Sequence, residues 1–281
     1  MRRAAANSTI VVAAALVLTM PALASDEPIE LADDPFEITD PLAAAPGSAE
    51  LAIVGVYERA RTGSWRGTTS LEAEMEVGVA PGLEFRIGQL AAYGNLETRR
   101  RLDSSVSEEV GGSGGRIPAW GGLTRLGLLY EVSGGPGAWP AMGVLARLRA
   151  VYGPGRPGQE ADFVALIGRT LIGGERPFGV HLNLGWTTRF DPLPGERPHR
   201  WFVNASVGQG ITRDTALVVT YAREQGERGE RDYEIIQAGI RHRLSASGPV
   251  LGLAIGAGLN RDSPAFQVGL AAQWAFSLPG W

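Results

Sequence analysis

The sequence predicts an all-β fold: a single closed antiparallel up-and-down transmembrane β-barrel of about twelve strands, behind a cleaved N-terminal signal peptide. Three observations predict it. Apolar and polar residues alternate with a period of two in run after run, which is the strand period and not the helical one. The chain opens with a secretory signal, yet nothing after it approaches the roughly 18 consecutive apolar residues of a spanning helix. The connections between runs sort into short turns and longer loops on alternate sides, as outer-membrane barrels do and soluble sandwiches have no reason to do.

The signal occupies residues 1–24. Arg2 and Arg3 precede an apolar run from Ile10 to Met20, Pro21 breaks it, and Ala22-Leu23-Ala24 supplies the small residues a signal peptidase reads. Residues 25–48 form an acidic, proline-interrupted arm with Asp26, Glu27, Glu30, Asp33, Asp34, Glu37 and Asp40. An arm that tucks into an arginine-containing lumen is one reading. The favoured expectation is a solvated periplasmic tail, because termini without a sustained period are usually loose.

The barrel is expected over 49–281, with strands at 50–59, 68–79, 83–93, 122–132, 139–152, 162–171, 178–188, 200–209, 215–224, 233–244, 250–259 and 265–276. The second and third show the pattern best. Leu71, Ala73, Met75, Val77 and Val79 point one way and Glu72, Glu74, Glu76 and Gly78 the other. After Ala80-Pro81-Gly82, Leu83, Phe85 and Ile87 oppose Glu84, Arg86 and Gly88. A three-residue turn sets Val79 opposite Leu83 and Glu76 opposite Arg86, so register alone predicts a cross-strand ion pair. Gaps at 80–82, 133–138, 172–177, 210–214 and 245–249 are the short, periplasmic turns; those at 94–121, 153–161, 190–199 and 225–232 are the longer loops. Trp139, Tyr152, Trp186, Trp201, Tyr221 and Phe276 sit near strand ends, where amphipathic rings prefer a membrane interface. Inward glycines at 78, 88, 127, 143, 185, 208, 239 and 256 are expected to let the wall curve and keep the lumen side open.

Composition narrows the function classes. Hydrophobic residues make up 44% and charged residues 20% of the chain. There is no cysteine, hence no disulfide, thiolate metal site or lipid-modified cysteine. Removing Arg2 and Arg3 with the signal leaves 24 basic against 30 acidic residues, a formal charge of -6, and no basic face for nucleic acid. The inward positions carry both signs: Glu72, Glu74, Glu76, Glu84 and Glu131 with Arg86, Arg125, Arg147, Arg149, Arg241 and Arg243. Such charges either select solutes or pair with one another and hold a narrow barrel shut.

No catalytic site, metal or cofactor is expected, and the chain reads as a non-enzyme. Gly111-Gly112-Ser113-Gly114-Gly115 fits a nucleophile elbow on paper but lacks the strand before it and the helix after it. His181 and Asn183 share a lumen face, but no serine accompanies them at the spacing of a nucleophile, so a hydrogen-bonded wall histidine is favoured. Arg99-Arg100-Arg101 is read as a solvated cluster in the longest loop.

The segments Thr215-Ala-Leu-Val-Val-Thr-Tyr-Ala-Arg-Glu, Gln237-Ala-Gly-Ile-Arg-His-Arg-Leu, Leu253-Ala-Ile-Gly-Ala-Gly-Leu-Asn-Arg-Asp-Ser-Pro and Gly269-Leu-Ala-Ala-Gln-Trp-Ala-Phe occur in order, with Phe36-Glu-Ile-Thr-Asp-Pro and Pro46-Gly-Ser-Ala-Glu-Leu near the front. Together they resemble the outer-membrane family named for the meta pathway of phenol degradation, whose members are often labelled transporters. The resemblance implies a barrel in the bacterial outer membrane, in contact with its lipid and with the barrel-assembly machinery, passing small organic solutes, aromatic ones among them. It carries over no catalytic residue. The alternatives are a structural or surface-interaction barrel with a closed lumen and, less favoured, a membrane-lipid hydrolase using Ser113 or His181. One departure is at the end: either Phe276 or Trp281 serves as the terminal aromatic that assembly machinery reads, with Pro279 between them.

Overall fold

The computed structural model describes residues 27–62, 66–94, 119–135, 139–152, 158–192 and 196–279. The expected signal, Ser113 with its glycines, Arg99–Arg101 and Trp281 lie outside the described residues. The strands are β1 (Ser48–Arg59), β2 (Gly67–Ala80), β3 (Leu83–Gly94), β4 (Ala119–Gly134), β5 (Ala141–Tyr152), β6 (Gly158–Ile172), β7 (Phe178–Phe190), β8 (His199–Thr212), β9 (Thr215–Glu224), β10 (Tyr233–Arg243), β11 (Val250–Gly258) and β12 (Phe266–Ser277). Each is antiparallel to its chain neighbours, and β1 pairs with β12 to close the barrel. Closure leaves no sheet edge with unpaired backbone groups, the condition for crossing a bilayer with strands. No helix among the described residues is long and apolar enough to cross a membrane.

Every expected run falls on one of these strands, and two details differ. β6 begins at Gly158, so the connection from β5 is only as long as the longer turns at the opposite end. A run judged by apolar alternation misses the polar start Gly158-Gln159-Glu160. At the first turn Glu76 does face Arg86, but a register shift after Gly78 sets Ala80, not Val79, opposite Leu83. The bulge absorbs one residue and makes the turn tighter than expected.

The outward face is apolar. Leu71, Leu148, Phe163, Ile255 and Leu270 are each 58–59% exposed. Exposed apolar surface continuous around a closed sheet has no soluble solution; it meets hydrocarbon. Aromatic rings gather at the long-loop end, with Tyr93 and Trp120 4.8 Å apart, Tyr57 and Phe266 5.8 Å apart, and Trp186 stacked on His199 at 5.7 Å. The interface preference of such rings explains the girdle.

The expectation of a solvated tail at 25–48 does not hold. From Ile29 onward the arm enters the barrel and packs inside it: Ile29, Leu31, Ala32, Phe36 and Ile38 are each at most 6% exposed. It comes in at the short-turn end, where Ile29 N–H donates to the Arg213 carbonyl, and returns to that end at Gly47, whose N–H donates to the Gly78 carbonyl. Scarce periodicity misled the reading, because this segment buries its apolar residues by following a cavity and not by joining a sheet.

Candidate functional site

The site is the lumen, and its wall has two unlike halves. On β2–β6 the inward residues are long. The Arg86 guanidinium contacts Glu76 at 2.6 Å, Glu84 at 2.5 Å and Glu74 at 3.7 Å. Arg125 pairs with Glu72 and Glu74. Arg147 reaches Asp162 at 3.3 Å, and Arg149 lies 2.8 Å from both Asp162 and Glu160. Two inward rows follow the strand pairing, Glu76–Arg86–Gly127–Arg147–Asp162–Thr187 and Glu74–Gly88–Arg125–Arg149–Glu160–Arg189. Glu160 also accepts from Arg189 at 3.0 Å and from Arg200 at 3.2 Å, and Arg200 contacts Glu224 and Glu227.

These charges are buried, which is tolerable only because each is paired. The glycines in the rows make the pairing fit. A Cβ on Gly88 would lie 2.7 Å from both Arg125 Nε and Glu74 Oε2, and one on Gly127 3.2 Å from Arg86 Cβ. They do not keep the lumen open; they give neighbouring side chains room to cross it. Beside the rows sits an apolar layer of Leu129, Leu145, Val164, Leu166 and Phe202.

On β9–β12 and β1 many inward residues are small, among them Ala216, Val218, Ala222, Gly252, Ala254, Gly256, Gly269, Ala271 and Ala52, although Glu224, Arg241, Arg243, Glu50 and Glu58 also face the lumen. Here the arm supplies the bulk. Ala32, Phe36 and Ile38 pack on Val218 and Ala254, and Ile29 and Leu31 on Ala216. A Cβ on Gly252 would meet Pro35 Cδ at 2.3 Å, and one on Gly208 would meet Leu31 Cβ at 2.6 Å.

The wall also satisfies the arm's backbone. Ala44 N–H donates to Glu84 at 2.8 Å, Ala43 N–H to Glu131 at 3.3 Å and Glu37 N–H to Gln237 at 3.3 Å. Arg241 donates to the Glu30 carbonyl at 3.1 Å and to Gln273 at 2.5 Å; Arg243 donates to the Glu27 carbonyl at 2.7 Å. His181 Nε2 lies 3.6 Å from Asp40. Asn183 accepts from Thr39 N–H at 2.7 Å and donates to the Thr39 carbonyl at 3.1 Å.

The residues proposed from the sequence fall in two groups. Glu72, Glu74, Glu76, Glu84, Arg86, Arg125, Arg147 and Arg149 take part in the ion pairs; Glu84, Glu131, His181, Asn183, Arg241 and Arg243 contact the arm. Sequence reasoning missed Glu160, Arg189 and Glu227, which fall just beyond the strand ends it drew, and Gln237, Gln267 and Gln273, uncharged but of inward parity. Extending each run until alternation fails on both faces would have found the first set. Between the arm tip and the wall remains a cavity of about 80 Å³ lined by Phe36, Val54, Val56 and Leu90 and by the polar Ser70, Gln267, Asp34, Glu37, Glu58 and Glu72.

Fold and site together define a transmembrane β-barrel with a lumen plug made by its own N-terminal segment. No protein-family model matches the chain, and no curated protein matches it. Among solved structures, it is similar to the COG4313 outer membrane channel from Pseudomonas putida F1, with TM-score 0.57 and 13% identity over 86% of this chain and 100% of that one. It overlaps more loosely with the Ralstonia pickettii toluene transporter TbuX (TM-score 0.43, 10% identity, 84% of this chain and 90% of that one) and with LpxR from Salmonella typhimurium (0.44, 8%, 82% and 100%). Only the first overlap is close enough to bear on the fold, and it bears on the fold alone.

Proposed function

We propose that this barrel lies in the bacterial outer membrane and passes small organic solutes, aromatic ones among them, along the lumen side that the arm fills. The carrying observation is the contrast of walls. Many inward residues of β9–β12 and β1 are small, and the space beside them is filled by a segment tied at one end to β1, outside the sheet. The cavity at the arm tip is small and mixed, lined by the apolar Phe36, Val54, Val56 and Leu90 together with Asp34, Glu37, Glu58, Glu72, Ser70 and Gln267. The apolar exterior, the family resemblance of the sequence and the likeness to an outer membrane channel support the same reading.

The test is reconstitution in planar bilayers, with uptake of a small aromatic and of a sugar into vesicles. The expected result is low conductance for the intact protein, a clear rise on deleting residues 29–45, and faster entry of the aromatic than of the sugar. A barrel that stays non-conducting after the deletion and admits neither solute ends the proposal. It would favour the second reading, a closed barrel acting through its long loops, which the ion-pair rows on β2–β8 support.

A further inference from the structure

Besides holding the arm, His181 belongs to a group of lumen side chains that passage does not require. His181 on β7 and Ser206 on β8 are directly opposite across the strand pair, and Ser206 Oγ lies 3.4 Å from His181 Nδ1. The other ring nitrogen faces Asp40 Oδ2 at 3.6 Å. The imidazole thus has a hydroxyl at one nitrogen and a carboxylate at the other, the order of a nucleophile, its base and the acid that orients the base. Such contacts are often long in a free enzyme and tighten around substrate.

Each member is held in place. Asp40 Oδ1 accepts from Leu42 N–H at 2.8 Å, and Asp40 N–H donates to Asp33 Oδ1 at 3.2 Å. Asn183 clamps Thr39, the residue before it, at both backbone polar groups. The ring rests over Gly168, where a Cβ would stand 2.7 Å from His181 Cδ2 and 3.0 Å from Pro41 Cγ. Asn183 and Gly168 are positioning residues.

Two more side chains complete the arrangement. Asn204 and Thr220 are each 1% exposed, and Asn204 Nδ2 and Oδ1 and Thr220 Oγ1 have no hydrogen-bond partner. Burying such groups unpaired is unfavourable, and each one in a native fold calls for an explanation. Asn204 is two residues from Ser206 on the same face of β8, and Thr220 is directly opposite Ser206 on β9. Idle donors beside a nucleophile are what a developing oxyanion needs.

We propose that Asp40, His181 and Ser206 form a hydrolytic centre in the lumen for small carboxylic esters, with Asn204 and Thr220 as its oxyanion donors. Ser206 Oγ bonds to the ester carbonyl carbon while His181 takes the hydroxyl proton. The carbonyl electron pair moves onto oxygen, where Asn204 Nδ2–H and Thr220 Oγ1–H donate to it. Collapse breaks the bond to the alcohol oxygen, which leaves with the proton from His181. Water then gives a proton to His181 and attacks the acyl group on Ser206. The acid departs and Ser206 regains its proton, so the cycle consumes only ester and water. Ser206 is 3% exposed, which limits the acyl group to a short one. Because Asp40 belongs to the arm, the centre is assembled only while the arm is docked.

The proposal does not rest on the transport reading and has its own test. Folded protein in detergent, checked by its compact mobility on an unboiled gel, is treated with a fluorophosphonate probe and mapped by mass spectrometry. In parallel, p-nitrophenyl acetate hydrolysis is followed across pH. The expected result is an adduct on Ser206, absent in Ser206→Ala and His181→Gln. Hydrolysis should fall by about 10²–10⁴ in His181→Gln. Asp40→Asn should flatten or shift the pH profile. Labelling of the intact wild-type chain decides the matter even where a variant misfolds. No adduct on Ser206, or an adduct that His181→Gln leaves unchanged, overturns the proposal and leaves the three residues as a peg for the arm.

Discussion

The β2–β6 wall and the β9–β1 wall solve the same problem in opposite ways. Both must fill a lumen too wide for an empty core and too narrow for a free channel. The first fills it with its own long side chains, paired as Arg86 with Glu76 and Arg149 with Asp162. The second keeps Ala216, Gly252 and Ala254 along its face and borrows Phe36 and Ile38 from outside the sheet. Fixed filling belongs to the sheet; borrowed filling belongs to a segment outside it. The difference can be broken from either side.

The largest effect is expected on the fixed wall. Arg86→Ala strands Glu76 and Glu84 together and should cost about 3–5 kcal/mol, read as a lower urea midpoint for loss of the compact gel form. An unchanged midpoint would show that the rows are solvated. Leu126→Arg on the lipid face, near mid-strand, should cost about 2–4 kcal/mol by the same assay in bilayers. On the borrowed side, Gly252→Val puts a side chain where Pro35 now sits and should cost about 1–3 kcal/mol, lost from arm docking and not from the barrel. The expected readout is a normal gel form with faster protease cleavage within 29–45. Gly55→Ala, with nothing within 4 Å of the added Cβ, is the control. The smallest effect is Glu131→Ala, which removes the acceptor for Ala43 N–H and should loosen the arm by about 1 kcal/mol, or about fivefold in cleavage rate.

The sheet was legible in the sequence because its cause is local. Leu71 to Val79 alternate whatever the rest of the chain does, and a short turn sets Glu76 opposite Arg86; the bulge after Gly78, which tightens that turn, was not legible. The arm was not legible for the opposite reason. Ile29, Phe36 and Ile38 follow no period, and their partners Val218 and Ala254 lie far along the chain, so nothing local distinguishes a plug from a tail. The charged lumen was half legible. Arg125 and Arg147 sit mid-strand and announce their face, whereas Glu160 and Arg189 sit at ends where alternation gives out. His181 and Ser206 show the limit most plainly: a search for a serine near the histidine in sequence fails, and only the β7–β8 register brings them together.

The account stands on the arm's being inside the barrel, and one labelling experiment addresses that directly. The chain has no cysteine, so a single thiol at Ala32, now 0% exposed, reports on the arm alone, with Leu42→Cys at a position 46% exposed for comparison. In liposomes, a water-soluble maleimide should modify the thiol at 42 quickly and the one at 32 slowly, with the difference abolished by unfolding. Equal, rapid labelling of both would place the segment in open water and contradict the account.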